Sequence, residues 1–107
     1  MFMRKLLHIG IPASEKRPDM TYVPGMKLSI TNPDASAHKI EWLYFDFDCP
    51  MPKLLQESTH IAYQVENLDE ELKGANILVP PSPLGDNMRL AFVVEEGIPV
   101  ELIEVKA

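Results

Sequence analysis

An approximate internal repeat limits what this chain can fold into more than any other feature. A strand-like run with one histidine, Arg4-Lys5-Leu6-Leu7-His8-Ile9-Gly10-Ile11, is echoed by Glu57-Ser58-Thr59-His60-Ile61-Ala62-Tyr63-Gln64-Val65. Each copy is followed by a run with one carboxylate among apolar neighbours. These runs are Lys39-Ile40-Glu41-Trp42-Leu43 and Pro99-Val100-Glu101-Leu102-Ile103. The resulting order is His8, Glu41, His60, Glu101, with separations of 33 residues (8 to 41) and 41 residues (60 to 101). Half-chains of about fifty residues are each too small to be stable alone, so the two are expected to pack as one domain over residues 1–107.

Strand signals dominate the rest of the chain. Residues 5–11, 26–31, 39–45, 60–65, 75–79, 88–95 and 98–105 carry β-branched or aromatic residues between turn formers. One helix is expected. Asn67 can cap Leu68-Asp69-Glu70-Glu71-Leu72-Lys73, Gly74 can stop it, and its end charges agree with the helix dipole. Between Pro12 and Pro24 no 3.6-residue apolar period appears and Pro18 interrupts. That stretch reads as a loop with a short extended piece at Thr21-Tyr22-Val23. A turn at Thr31 to Ala35 leads into the Glu41 strand, and Asp46 to Ser58 connects the halves with a helical turn at Pro52 to Gln56. The proline-rich run Pro80 to Asn87 reads as a loop placed to act as a lid, with Arg89 beside it as a candidate anion contact.

Charge and cysteine usage narrow the partners. A formal net charge of −6 argues against nucleic acid or an anionic membrane, which call for a basic surface. No apolar run approaches the ~20 residues needed to span a bilayer. No secretory signal is evident, and the single cysteine, Cys49, cannot form an intrachain disulfide; a cytoplasmic location is expected. Cys49 has no histidine near it in sequence to activate it. Neither a glycine-rich phosphate loop, a GxSxG elbow nor a cysteine cluster is present.

Alternation along strands places the four repeated residues among small or apolar neighbours: His8 with Leu6 and Gly10, His60 with Ala62, Glu41 with Leu43 and Phe45, and Glu101 with Ile103 and Val105. A carboxylate on an apolar face is costly unless something pairs with it. Two imidazoles and two carboxylates form a ligand set suited to one divalent metal. Taken singly, each of the four is more often a surface or hydrogen-bonded residue, and Glu104 reads as a solvent-facing strand glutamate of that kind. Spacing alone does not decide between the two readings. His38, without a counterpart in the second half, reads as a strand-start residue.

The chain resembles the vicinal oxygen chelate superfamily, the glyoxalase and methylmalonyl-CoA epimerase relatives. The likeness rests on His8 to Ile11, Ile40 to Leu43, His60 to Val65 with Asn67-Leu68-Asp69, and Ala91 to Ile103. It covers residues 59–105 nearly end to end but only the two end strands of the first half. The resemblance implies an α+β fold, a single glyoxalase-like domain of paired βαβββ modules (about 4–46 and 58–106) forming a curved mixed sheet. The first module is shortened and lacks its helix. It further implies His8, Glu41, His60 and Glu101 as ligands of one divalent metal ion (Zn, Ni, Co, Mn or Fe), and a homodimer that covers the barer first module.

By the same resemblance the expected activity is that of a metal-dependent lyase or isomerase acting on a small-molecule substrate. It would remove a proton next to a carbonyl, with the metal stabilising an enediolate or enolate. Glu101 is then the preferred base and Glu41 the second. Ring-cleaving dioxygenases and antibiotic-inactivating transferases of the superfamily fit a fourth ligand at Glu41 less well. The alternative of a different class is a drug- or metabolite-binding protein without catalysis, using Leu6, Leu43, Phe45 and Ile103 as an apolar groove. A structural dimer with a vestigial site ranks below it.

Overall fold

The strands of each half pair in one repeated order, and that order builds the molecule. The structure, a computed structural model, describes residues 3–106. In the first half, β1 (Arg4–Pro12), β2 (Thr21–Val23), β3 (Leu28–Ile30) and β4 (Ile40–Phe45) are followed by a short helix, α1 (Lys53–Glu57). The second half holds β5 (His60–Val65), α2 (Leu68–Glu71), β6 (Ile77–Leu84), β7 (Met88–Glu95) and β8 (Ile98–Val105). All eight strands form one sheet in the order β2-β3-β4-β1-β5-β8-β7-β6. Each half therefore runs first, fourth, third, second outward from the middle. The first and fourth strands pair parallel in both halves, and β1 meets β5 antiparallel at the join. The second half is a βαβββ module; the first is the same module without its helix, the departure from the family pattern expected from the proline-bearing stretch after Pro12.

The sheet curls. Leu28 and Ile30 of β3 line the same cavity as Leu90 and Phe92 of β7, five strand positions away. In a flat sheet those strands would stand about 24 Å apart. On the convex side of the second module, Leu68 of α2 is buried against Val65, Ala91, Val93, Val100 and Leu102. Asn67 caps α2, its Oδ1 accepting from the Glu70 N–H at 3.1 Å. On the corresponding side of the first module, Arg17 from the segment between β1 and β2 stacks on Trp42 at 4.2 Å from the ring centroid. On the concave side, Leu55 of α1 is buried with Leu90, Phe92 and Ile103.

Four local expectations are corrected. Pro80 to Leu84 is not a lid loop but the end of β6. This strand is the sheet edge, where proline's missing N–H costs no ladder bond, and its register slips between Val79 and Ser82. Glu104 does not face solvent: it is buried, accepts the Leu68 N–H at 2.8 Å and pairs with Arg89 at 2.8 Å. Arg89 is thus engaged by Glu104 and Asp69 on the convex side, away from any ligand in the concavity. Leu6 is 53% exposed and lies outside the groove. Its register partner is Tyr63 while that of His8 is Ala62, so Leu7 is the extra residue of a β-bulge that breaks the alternation.

Candidate metal centre

The site lies where the two modules join, at the middle of the concave face. His8 on β1 pairs with Ala62 on β5, and His60 on β5 pairs with Gly10 on β1. Each carboxylate stands beside the small residue of its own module, Glu41 next to Gly10 and Glu101 next to Ala62. The His-Ile-small triplet of each copy thus crosses the other at the join, which is how two separated repeats converge on one point.

All four side chains are buried, His60 to 1% exposure. The His8 and His60 Nε2 atoms lie 3.4 and 3.3 Å from the same Glu101 Oε1. Glu41 Oε1 lies 3.4 Å from His8 Nε2. Ligand atoms of His8, His60 and Glu101 all fall within 4.8 Å of one another; Glu41, the fourth expected ligand, stands outside this group and approaches His8 alone. Neither imidazole Nε2 has a hydrogen-bond partner among the described residues. Buried nitrogens without partners are costly unless a ligand satisfies them. A divalent ion would satisfy them: tetrahedral donors about 2.0–2.2 Å from one ion sit about 3.3–3.6 Å from each other, and the imidazole-to-carboxylate separations here are 3.3–3.4 Å.

Neighbours hold the rings. The Phe92 edge meets the His60 ring at 5.5 Å between centroids and 82° between planes, and His8 meets His60 at 5.6 Å and 77°. Gly10 leaves room for His60, because a Cβ there would fall within the imidazole. Sequence reasoning leaves Gly10 and Phe92 out of the site. A glycine inside a strand is the one available sign of the first, since it marks close approach of another group. Phe92 is recognisable only from its register position opposite Glu101.

Burial and charge act unequally on the ionisable groups. Burial is the largest influence on Glu101 and favours its neutral form, but the two imidazoles prevail and hold its carboxyl well below the ordinary range. Burial raises Glu41, and Glu101 adds to the rise while His8 and His60 oppose it. His8 is discouraged from charging by burial, yet Glu101 and Glu41 outweigh that and raise its pKa. His38 lies apart, in an exposed turn before β4. The Cys49 thiol donates to the Met26 carbonyl at 3.1 Å.

A cavity of about 220 Å³ opens over these groups. Leu28, Leu43 and Phe45 wall it from the first module, Leu55 from the connection, and Leu90 and Ile103 from the second.

A hypothetical protein from Bacillus halodurans C-125 matches this fold with a TM-score of 0.71 at 23% identity, over 97% of this chain and 96% of that one. A methylmalonyl-CoA epimerase from Mycobacterium tuberculosis matches with a TM-score of 0.62 at 16% identity, over 96% of this chain and 89% of the epimerase. No protein-family model and no curated protein matches the sequence. The likeness establishes the architecture, an α+β fold with one curved mixed sheet that this chain shares with both proteins.

Proposed function

We propose that the protein is a divalent-metal-dependent lyase or isomerase that removes a proton next to a carbonyl. The observation that carries this reading is the convergence of two buried, unpartnered imidazole Nε2 atoms on one carboxylate oxygen at 3.3–3.4 Å. His8, His60 and Glu101 would hold the ion, with Glu41 as the fourth ligand. When bound, the ion supplies a Lewis acid that stabilises an enediolate or enolate. The fold shared with an epimerase at a TM-score of 0.62 supports the reaction class.

The chain's own groups have separate tasks. The apolar wall excludes water, so that a carboxylate at the cavity floor meets a carbon acid without competition from solvent. Glu101 and Glu41 are the proton acceptors within reach of that floor. Resemblance favours Glu101, but the ties run the other way: Glu101 is approached by both imidazoles and Glu41 by His8 alone. Glu41 is therefore the freer of the two to turn toward a substrate carbon.

Metal content by elemental analysis, after reloading with mixed divalent ions, tests the centre. About one ion per chain is expected for wild type and almost none for the His60→Ala, Glu101→Ala double variant. Glu41→Gln and Glu101→Gln then divide the roles. Whichever variant keeps its metal but loses α-proton exchange of a small ketone in deuterated water has lost the base. Metal bound without any such exchange in wild type would favour the second reading, a small-molecule binding protein, to which the apolar cavity is equally suited.

A further inference from the structure

We propose that the ligand group entering the cavity is an uncharged, mainly apolar carbonyl compound about the size of one aromatic ring, a substrate class that rests on the metal-centre reading above. Three observations converge on it: the absence of a cation in the chamber, the charge balance at its floor and its size.

Among the described residues lining the cavity, the polar side chains are His8, Glu41, His60 and Glu101, and no lysine or arginine contributes. The basic residues adjoining the lining in sequence are committed elsewhere. Lys27, between the lining residues Met26 and Leu28, pairs with Asp48 at 2.6 Å. Arg89, next to Leu90, points to the convex side and pairs with Glu104 at 2.8 Å and Asp69 at 3.0 Å. A carboxylate or phosphate placed in the chamber would find no side-chain countercharge.

The metal does not change this. A divalent cation held by two carboxylates and two neutral imidazoles forms a centre of zero net charge, so it leaves no surplus positive charge for an anion. An anionic ligand would carry its charge into an apolar enclosure, where unpaired charge is strongly disfavoured. A neutral carbonyl meets no such cost and still offers oxygen lone pairs to the floor.

Size bounds the class from above. Ligand pockets for larger molecules run from about 300 Å³ upward, and an apolar cavity of about 150 Å³ accommodates benzene. At about 220 Å³ the chamber holds one ring with a short carbonyl-bearing arm. A nucleotide or tripeptide carrier would have to remain outside, against a chain of net charge −6.

Two probes of matched shape test the proposal: the neutral 1-phenylpropane-1,2-dione and its anionic counterpart benzoylformate. Each is titrated by calorimetry at neutral pH into metal-reloaded and metal-stripped protein, with metal content measured on the same samples. The expected result is binding of the dione at least tenfold tighter than benzoylformate. Loss of dione affinity is also expected in Leu43→Phe, which fills the chamber, with metal content unchanged. If Leu43→Phe does not fold, Ile30→Phe at the half-buried cavity wall supplies the same reading. A preference for the dione that persists in protein unable to take up metal would uphold the neutral chamber while sinking the metal centre. Equal or tighter binding of benzoylformate, no binding of either probe, or undiminished dione affinity in a folded filling variant would overturn the proposal.

Discussion

Gly10 shows how much of this centre depends on an atom that is absent. His60 occupies the space a side chain at position 10 would need, so Gly10→Ala forces either the ring or β1 to move. Overpacking of this kind costs about 1–3 kcal/mol. The larger consequence is expected in function, because His60 Nε2 would leave its 3.3 Å approach to Glu101. We expect Gly10→Ala to remain folded by circular dichroism while its metal affinity drops by at least tenfold; unchanged affinity would show that the ring has another resting place. At Glu104 the issue is charge. Arg89 is the main cause that holds its carboxyl below the ordinary range, with the Leu68 N–H assisting. A carboxylate depressed in the folded state adds stability that is complete above its unfolded pKa, about 4.3, and is lost as pH falls through the lower folded value. The denaturation midpoint of Glu104→Gln should therefore lie below that of wild type at neutral pH, and the gap should shrink as the solution is acidified. A gap that is independent of pH would mean that the loss comes from packing instead.

At the scale of elements, the hairpin of β7 and β8 matters most, since its register sets Phe92 opposite Glu101. Its two-residue turn places Glu96 at φ 52° and Gly97 at φ 82°, the left-handed pair that matches strand twist. Glutamate is ill suited to that conformation and asparagine tolerates it. Glu96→Asn should stabilise the protein by about 0.5–1 kcal/mol and raise Tm by a few degrees. A lower Tm would mean that the Glu96 side chain makes a contact worth more than the strain. Much of this level was legible in the sequence. Strand alternation, the Asn67 cap and the paired His and Glu runs disclose the modules and bring the four polar residues to one face. The bulge at Leu7 was hidden, because an extra residue in a strand leaves no periodic trace, and with it went the true direction of Leu6. Pro80 to Leu84 misleads for a different reason: proline disfavours central strands, and only the sheet order reveals that β6 is an edge. Glu104 looks like any solvent-facing glutamate until Arg89 and the Leu68 N–H are seen around it.

At the scale of the molecule, the two halves are alike on the concave side and unlike on the convex side. The second module buries its convex face under α2. The first leaves Ile9, Ile11, Trp42 and Tyr44 only half buried, with Arg17 stacked on the indole as partial cover. Among the described residues no helix is long and apolar enough to cross a membrane. We propose that a second copy of the chain covers this face, giving a homodimer in which His8, His60 and Glu101 of each chain converge as they do here. An aromatic residue central to such a contact typically contributes about 2 kcal/mol or more. Trp42→Glu should therefore weaken self-association by at least tenfold in sedimentation equilibrium. Because Trp42 faces away from the cavity, its metal content should stay at the wild-type level. A wild-type chain that stays monomeric at tens of micromolar would remove the dimer but not the centre, and the half-buried Trp42 would then be explained by Arg17 alone. Loss of metal together with the dimer would mean that the contact also stiffens β4, and so the placement of Glu41 next to Gly10.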